Sequence, residues 1–204
     1  MLYIFDEIDN IEDDFPESIK SLLSAERYEK TQKLRSTRKK KASAVAYLLL
    51  RLALSDIYGI NEVVVFNYAD KGKPQLKSYP HIHFNLSHSK NAVACVISNN
   101  EVGVDVQCIM PIKEVLAKRV LTDLEYAEFK ASQTPEEYFC EIWTVKESYL
   151  KLTGKGITTE LRSIAADEVA DKMIYRSKDY FCCVCGSKME IKYIRRKDFE
   201  RLHD

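Results

Sequence analysis

No stretch of this chain reaches the ~18 consecutive apolar residues of a membrane-spanning helix, and Met1 to Asp6 lacks the basic start and long apolar run of a signal peptide. The expectation is a soluble, cytoplasmic protein. Neither sign of charge is in excess: 31 Lys and Arg stand against 31 Asp and Glu, so no global field draws the protein toward nucleic acid or membrane. Anion binding must therefore come from local clusters. The six cysteines lack the regular spacing of a disulfide framework, and Cys182-x-x-Cys185 has no second pair or paired histidines to complete a zinc site. Reduced thiols buried in an apolar strand are expected instead. No G-x-S-x-G elbow accompanies Ser87-His88, and adjacent residues seldom form a nucleophile–base pair, which sets aside a serine hydrolase. Nor is there a Gly/Ser/Pro-rich linker to separate domains.

What is present reads as a mixture of helices and strands. The 204 residues, 46% of them hydrophobic, suffice for one large domain or two small ones. From Ser24 to Gly59 the pattern is helical, with Val45, Leu48, Leu49 and Leu52 on one face and Gly59 as the stop. Val63 to Tyr68 predicts a strand, and Ala92 to Ser98 with Glu101 to Gln107 predicts a hairpin turning at Asn99-Asn100. Phe84 to Ser89 reads as a loop before it. Thr122-Asp123-Leu124-Glu125 matches a capping box, and Thr134-Pro135-Glu136-Glu137 opens a helix running to Gly154. Short strands follow between Asp167 and Tyr193, and Phe181 to Ile191 faintly echoes Val93 to Val106. That echo suggests two α+β halves of similar build, residues 1–104 and 105–204.

Several clusters can carry chemistry. Asp105 and Gln107, two apart on a predicted strand, offer oxygens on one face to a hard cation, Gln107 being the weaker ligand. Glu147 and Lys151 share a helix face one turn apart, where they could meet Mg²⁺ and phosphate or form an ordinary ion pair. Lys39-Lys40-Lys41, after Lys33, Arg35 and Arg38, forms a basic cluster suited to phosphate. Nucleic-acid binding by it is disfavoured by the neutral net charge and the lack of interleaved aromatics.

Taken in order, Gly72-Lys73-Pro74, Phe84-Asn85-Leu86-Ser87-His88-Ser89, Gly103-Val104-Asp105-Val106 and Trp143-Thr144-Val145-Lys146-Glu147-Ser148-Tyr149-Leu150-Lys151, with Gly154-Lys155-Gly156, resemble the surfactin-synthetase-type phosphopantetheinyl transferases. The resemblance implies an α+β fold of two pseudo-symmetric halves in one monomer, with the active site in the cleft between them. The first half would hold the phosphate and adenine ends of coenzyme A, and the second the metal and the catalytic groups. It implies transfer of the 4′-phosphopantetheine arm of coenzyme A to a serine of an apo acyl or peptidyl carrier protein, with Mg²⁺ as cofactor. By similarity, Asp105 and Glu147 are metal ligands, Lys151 contacts a coenzyme A phosphate, Ser87 and His88 contact nucleotide phosphates, and Lys73 with Pro74 lies beside the adenine.

The chain departs from the family pattern at two places. Gln107 stands where the family often has a second acid, leaving water-mediated metal contact there, and Ala42 stands where arginine is common, so Lys40 or Lys41 would supply that charge. Glu125 matches a proposed general base, with its capping-box role as the competing reading, and Glu147 or a water on the metal as alternatives. The functional alternative is a non-catalytic module that binds coenzyme A or the carrier.

Overall fold

A computed structural model describes residues 1–69, 72–154 and 161–203. Its strands are β1 (Leu2–Phe5), β2 (Phe66–Tyr68), β3 (Pro74–Leu76), β4 (His83–Ser89), β5 (Ala92–Ser98), β6 (Gly103–Cys108), β7 (Lys172–Arg176), β8 (Tyr180–Cys185) and β9 (Ile191–Tyr193). The α-helices are α1 (Phe15–Ser18), α2 (Ala25–Gln32), α3 (Thr37–Tyr58), α4 (Glu114–Val120), α5 (Asp123–Ala131) and α6 (Pro135–Thr153). The fold is α+β. One sheet has four strands in the order β4-β5-β1-β9, another has three in the order β6-β8-β7, and β2 pairs with β3 as a separate ribbon.

The alternation of strand side chains explains how these parts stack. Leu2, Ile4, Ala94 and Val96 of the first sheet meet Val104, Val106, Cys182 and Val184 of the second in one buried cluster. The opposite faces take helices. Tyr3, Phe5, Val93 and Cys95 pack on α3, and Cys183 and Cys185 pack on α6 through Val145. Because both faces of β5 and β8 are covered, these strands are apolar throughout rather than alternating. For the same reason α3 is buried without a break from Lys41 to Leu54, a helix with no solvent face along its middle.

Local signals hold at several places. Gly59 closes α3 at φ 66°, its N–H reaching the carbonyls of Leu54 and Ser55. Helix α6 starts with Pro135 at its first turn and ends at Gly154, φ 64°. The capping box at Thr122 is complete. Cys182 and Cys185, three apart on a strand, point to opposite faces, so the C-x-x-C cannot converge on one metal.

The structure corrects four expectations. The helical span from Ser24 is broken into α2 and α3 between residues 33 and 36, where Ser36 takes an extended conformation at the head of α3. The expected strand at Val63 contracts to Phe66–Tyr68 because its partner β3 offers only three residues to pair. Phe84 to Ser89 is strand, not loop. Ala92 to Ser98 pairs with β4 and β1, while β6 pairs with β8, so Asn99-Asn100 joins two sheets rather than closing a hairpin. β6 runs across residue 104, and β9 returns to lie parallel to β1, with Leu2 opposite Ile191.

Gly103 shows why the chain needs glycine at the start of β6. A Cβ there would lie 2.1 Å from the Ser148 carbonyl oxygen and 2.4 Å from the Leu152 nitrogen, both backbone atoms of α6. Gly103→Ala is therefore expected to push α6 off the sheet and destabilise the protein by about 1–3 kcal/mol or more. A melting temperature equal to that of the parent chain would show that α6 does not cross here so closely.

Candidate active site

Strand β6 is the edge of its sheet, and its outward amides need partners. They find them in side chains of β4. Val104 N–H donates to Asn85 Oδ1 at 3.1 Å, Val106 N–H to Ser87 Oγ at 3.2 Å, and Cys108 N–H to Ser89 Oγ at 3.0 Å. Asn85, Ser87 and Ser89 share the face of β4 that looks toward the second sheet, so an N-x-S-x-S alternation takes the place of a neighbouring strand's carbonyls. Here the two sheets are stitched together.

Asp105 sits between two of these rungs, its side chain on the α6 side of β6. Its Oδ1 accepts from Ser87 Oγ at 2.7 Å and from Lys151 Nζ at 2.7 Å, and Lys151 Nζ also donates to Ser87 Oγ at 2.9 Å. Its Oδ2 is buried without a hydrogen-bond partner among the described residues. Glu147 lies one helical turn before Lys151 on α6 and is only 9% exposed. Its carboxyl is pushed above the ordinary glutamate range, first by burial and then by the charge of Asp105, with Lys151 opposing. Two buried carboxylates thus face a single ammonium, and one carboxylate oxygen is unsatisfied. That donor set, hard anionic oxygens short of positive charge, fits a divalent cation such as Mg²⁺.

His88 is exposed on the α3 side of β4. Its imidazole is held below its ordinary range by desolvation, then by the charges of Lys151, Arg27 and Lys39, with Asp105 opposing.

The other expected residues fall into place as follows. Gln107 shares the Asp105 face of β6, but its amide donates to the Cys108 carbonyl at 3.3 Å and to Met110 Sδ at 3.6 Å. Lys40 donates to Gln32 Oε1 at 3.1 Å. Lys41 is buried, and its ammonium is held by the Ile11 carbonyl at 2.7 Å and Asp13 at 3.0 Å, tying α3 to the N-terminal segment. Lys73 pairs with Glu101 and donates to the Leu152 carbonyl at 3.2 Å, beside a small hollow lined by Pro74, His83 and Phe84. Lys155 and Gly156 lie outside the described residues.

Glu125 has both carboxylate oxygens engaged. Oε2 accepts from Thr122 N–H at 2.8 Å and from Lys146 Nζ at 2.5 Å, and Oε1 accepts from Ala166 N–H at 2.9 Å. This is the capping-box role extended into a buried ion pair. The sequence reading named Lys146, Gly103, Asn85 and Ser89 within motifs but gave them no role. Only the period-two spacing of Asn85, Ser87 and Ser89 could have signalled the last two.

Comparison with known proteins gives the family. The sequence profile described as the 4′-phosphopantetheinyl transferase superfamily matches residues 101–195. The 4′-phosphopantetheinyl transferase Sfp of Bacillus subtilis (strain 168) is 30% identical over 152 residues, 73% of this chain and 68% of the relative. The psf-1 transferase of Bacillus pumilus is 31% identical over 153 residues, 74% of this chain and 66% of the relative. The gsp transferase of Aneurinibacillus migulanus is 37% identical over 129 residues, 62% of this chain and 54% of the relative. The chain belongs to the 4′-phosphopantetheinyl transferase superfamily. It spans about two-thirds of the length of its Bacillus relatives, 65% of one from Bacillus subtilis. Among the described residues no helix is long and apolar enough to cross a membrane.

Proposed function

We propose that this protein transfers the 4′-phosphopantetheine arm of coenzyme A to a serine hydroxyl of an apo carrier protein, releasing 3′,5′-ADP. The observation that carries the reading is the Asp105–Ser87–Lys151 cluster beside Glu147, with its orphan carboxylate oxygen, in a member of this superfamily. Asp105 and Glu147 would hold Mg²⁺. When bound, the metal neutralises pyrophosphate charge and stabilises the departing nucleotide.

The remaining work belongs to side chains. Lys151, partly exposed beside Asp105, presents its ammonium to a phosphate oxygen at the cleft floor. His88 offers a ring N–H to a nucleotide phosphate. Glu147 or a water accepts the serine proton as the new P–O bond forms and the bond to 3′,5′-ADP breaks. Glu125, fully engaged, is left to its structural role.

The test is direct: incubate the protein with coenzyme A, Mg²⁺ and an apo acyl or apo peptidyl carrier protein, and weigh the carrier. Gain of one phosphopantetheine arm supports transfer, and an unchanged mass with coenzyme A bound identifies a binding module instead.

The basic cluster divides by contact. Lys40→Ala is expected to weaken coenzyme A more than dephospho-coenzyme A, by about 1–2 kcal/mol of charge-assisted hydrogen bonding. Lys41→Ala is expected to lower the melting temperature and to affect both ligands alike, since its ammonium is already spent on Ile11 and Asp13. Affinities of the two ligands at one salt concentration decide it. Equal losses for Lys40→Ala would move the 3′-phosphate site elsewhere.

A further inference from the structure

Residues 191–202 cross from the second sheet to the first, and charge does much to fasten them there. Lys192 donates to Asp56 Oδ2 at 2.6 Å, Arg201 pairs with Asp56 Oδ1, and Tyr3 Oη donates to Asp56 Oδ2 at 3.0 Å. Arg195 meets Asp6 at 3.0 Å and Glu7 at 3.1 Å, while Arg196 lies beside Glu12 and 4.7 Å over the Phe15 ring. The bases of these pairs all belong to the segment, and the acids all lie between residues 6 and 56. Backbone pairing adds little, because β9 is a three-residue edge strand parallel to β1. Beside Ile194, the segment buries Phe199, 5.6 Å from Phe5 and 6.2 Å from Phe15. Short edge elements held this way open at lower free energy than a core.

The contacts continue inward. Glu12 and Phe15, which meet the segment, belong to the same stretch as Ile11 and Asp13, which hold the buried Lys41 ammonium, and Asp9, which pairs with Arg38 at 2.7 Å. So the last segment grips the acidic N-terminal stretch, and that stretch grips the head of α3, where Lys39 and Lys40 stand. We propose that residues 191–202 form an ionic clasp, locked at Asp56, that opens as a unit and when closed braces the head of α3 for anion binding. The bracing rests on the phosphate role proposed above for Lys40; the clasp itself does not.

Hydrogen exchange of the full chain, resolved by residue, tests both. Asp56→Asn keeps the shape and loses the charge. It is expected to speed exchange by about tenfold or more at the Ile194 N–H, which bonds the Ile4 carbonyl, and at the Ile19 N–H, which bonds the Phe15 carbonyl, with the α3 amides from Val45 to Leu52 unchanged. Potassium chloride at about 1 M should do the same to the parent chain by screening the pairs, and it carries the test should the variant not fold. Ile194 exchanging no faster than the α3 amides under either condition would show that the segment opens only with the whole protein, and overturns the clasp. The bracing is read from the opposite direction. If coenzyme A binds the clasped form alone, then coenzyme A at about 100 times its Kd slows Ile194 exchange about 100-fold. Ile194 exchange untouched by bound coenzyme A, or faster Ile194 exchange with Ile19 unchanged, overturns the bracing. A parent chain that binds no coenzyme A overturns the phosphate role and the bracing together, and the Asp56→Asn comparison still decides the clasp.

Discussion

Replacing Glu147 by glutamine is expected to abolish transfer and, at the same time, to raise the melting temperature of the metal-free protein at neutral pH. The loss follows from the metal and base roles, each worth several kcal/mol. At about 1.4 kcal/mol per decade, the rate should fall roughly 10³-fold or more. Asp105→Ala should do the same. The gain in stability follows from the direction of the Glu147 shift. Burial and the Asp105 charge disfavour the anion in the folded state, so the folded pKa lies above the unfolded one. The stability this group contributes is fully present below the unfolded pKa and is lost as pH rises through the folded pKa. Glutamine, which cannot ionise, escapes that loss. The melting difference between variant and parent should therefore grow from acid toward mildly alkaline pH. Added Mg²⁺ should reverse it by stabilising the parent alone. A glutamine variant that transfers at the parent rate, or that melts lower at every pH, would remove Glu147 from the site.

Lys146→Met is expected to cause the largest loss of stability. Lys146 is wholly buried, and its ammonium bonds Glu125 at 2.5 Å and the Val120 carbonyl at 2.8 Å. Its pKa is lowered by desolvation, with Glu125 pulling it back. Removing the lysine leaves Glu125 charged and buried, with only the Thr122 and Ala166 amides to solvate it. Breaking a buried pair in this way costs about 3–5 kcal/mol. At roughly 2–4 °C per kcal/mol for a chain of this size, the melting temperature should fall by roughly 6–20 °C. Adding Glu125→Gln should restore part of it, because the stranded charge is gone. Full transfer activity in the rescued double variant would confirm that Glu125 caps and braces α5 against α6 rather than taking a proton. Loss of activity with restored stability would return Glu125 to the list of candidate bases.

Much of the fold was legible because its signals are local. Capping chemistry at Thr122, the left-handed glycine after α3 and the proline opening α6 are decided within a few residues, where neighbouring backbone groups compete only with one another. The candidate metal carboxylates were legible as well, since Asp105 on a strand and Glu147 with Lys151 on a helix face follow from periodicity, and the family motifs brought them together. Strand β4 was not. Its asparagine, two serines and two histidines belong to turns by propensity, and they form a strand here because β5 supplies the main-chain ladder and the amides of β6 donate to Asn85, Ser87 and Ser89.

The apparent hairpin at Asn99-Asn100 failed for the same kind of reason. Two apolar runs with a turn between them read alike whether they pair with each other or enter different sheets, and only the packing of Val96 against Val104 face to face, rather than edge to edge, settled which. By itself, then, the sequence determined the elements bounded by caps and turns, the family, and the residue types available for a metal and a phosphate. The tertiary structure decided which charges are committed and which remain free: Lys41 to Asp13, Glu125 to Lys146, and Asp105 with one oxygen held and one unsatisfied. That division depends on burial and on partners distant along the chain, and no local pattern encodes either.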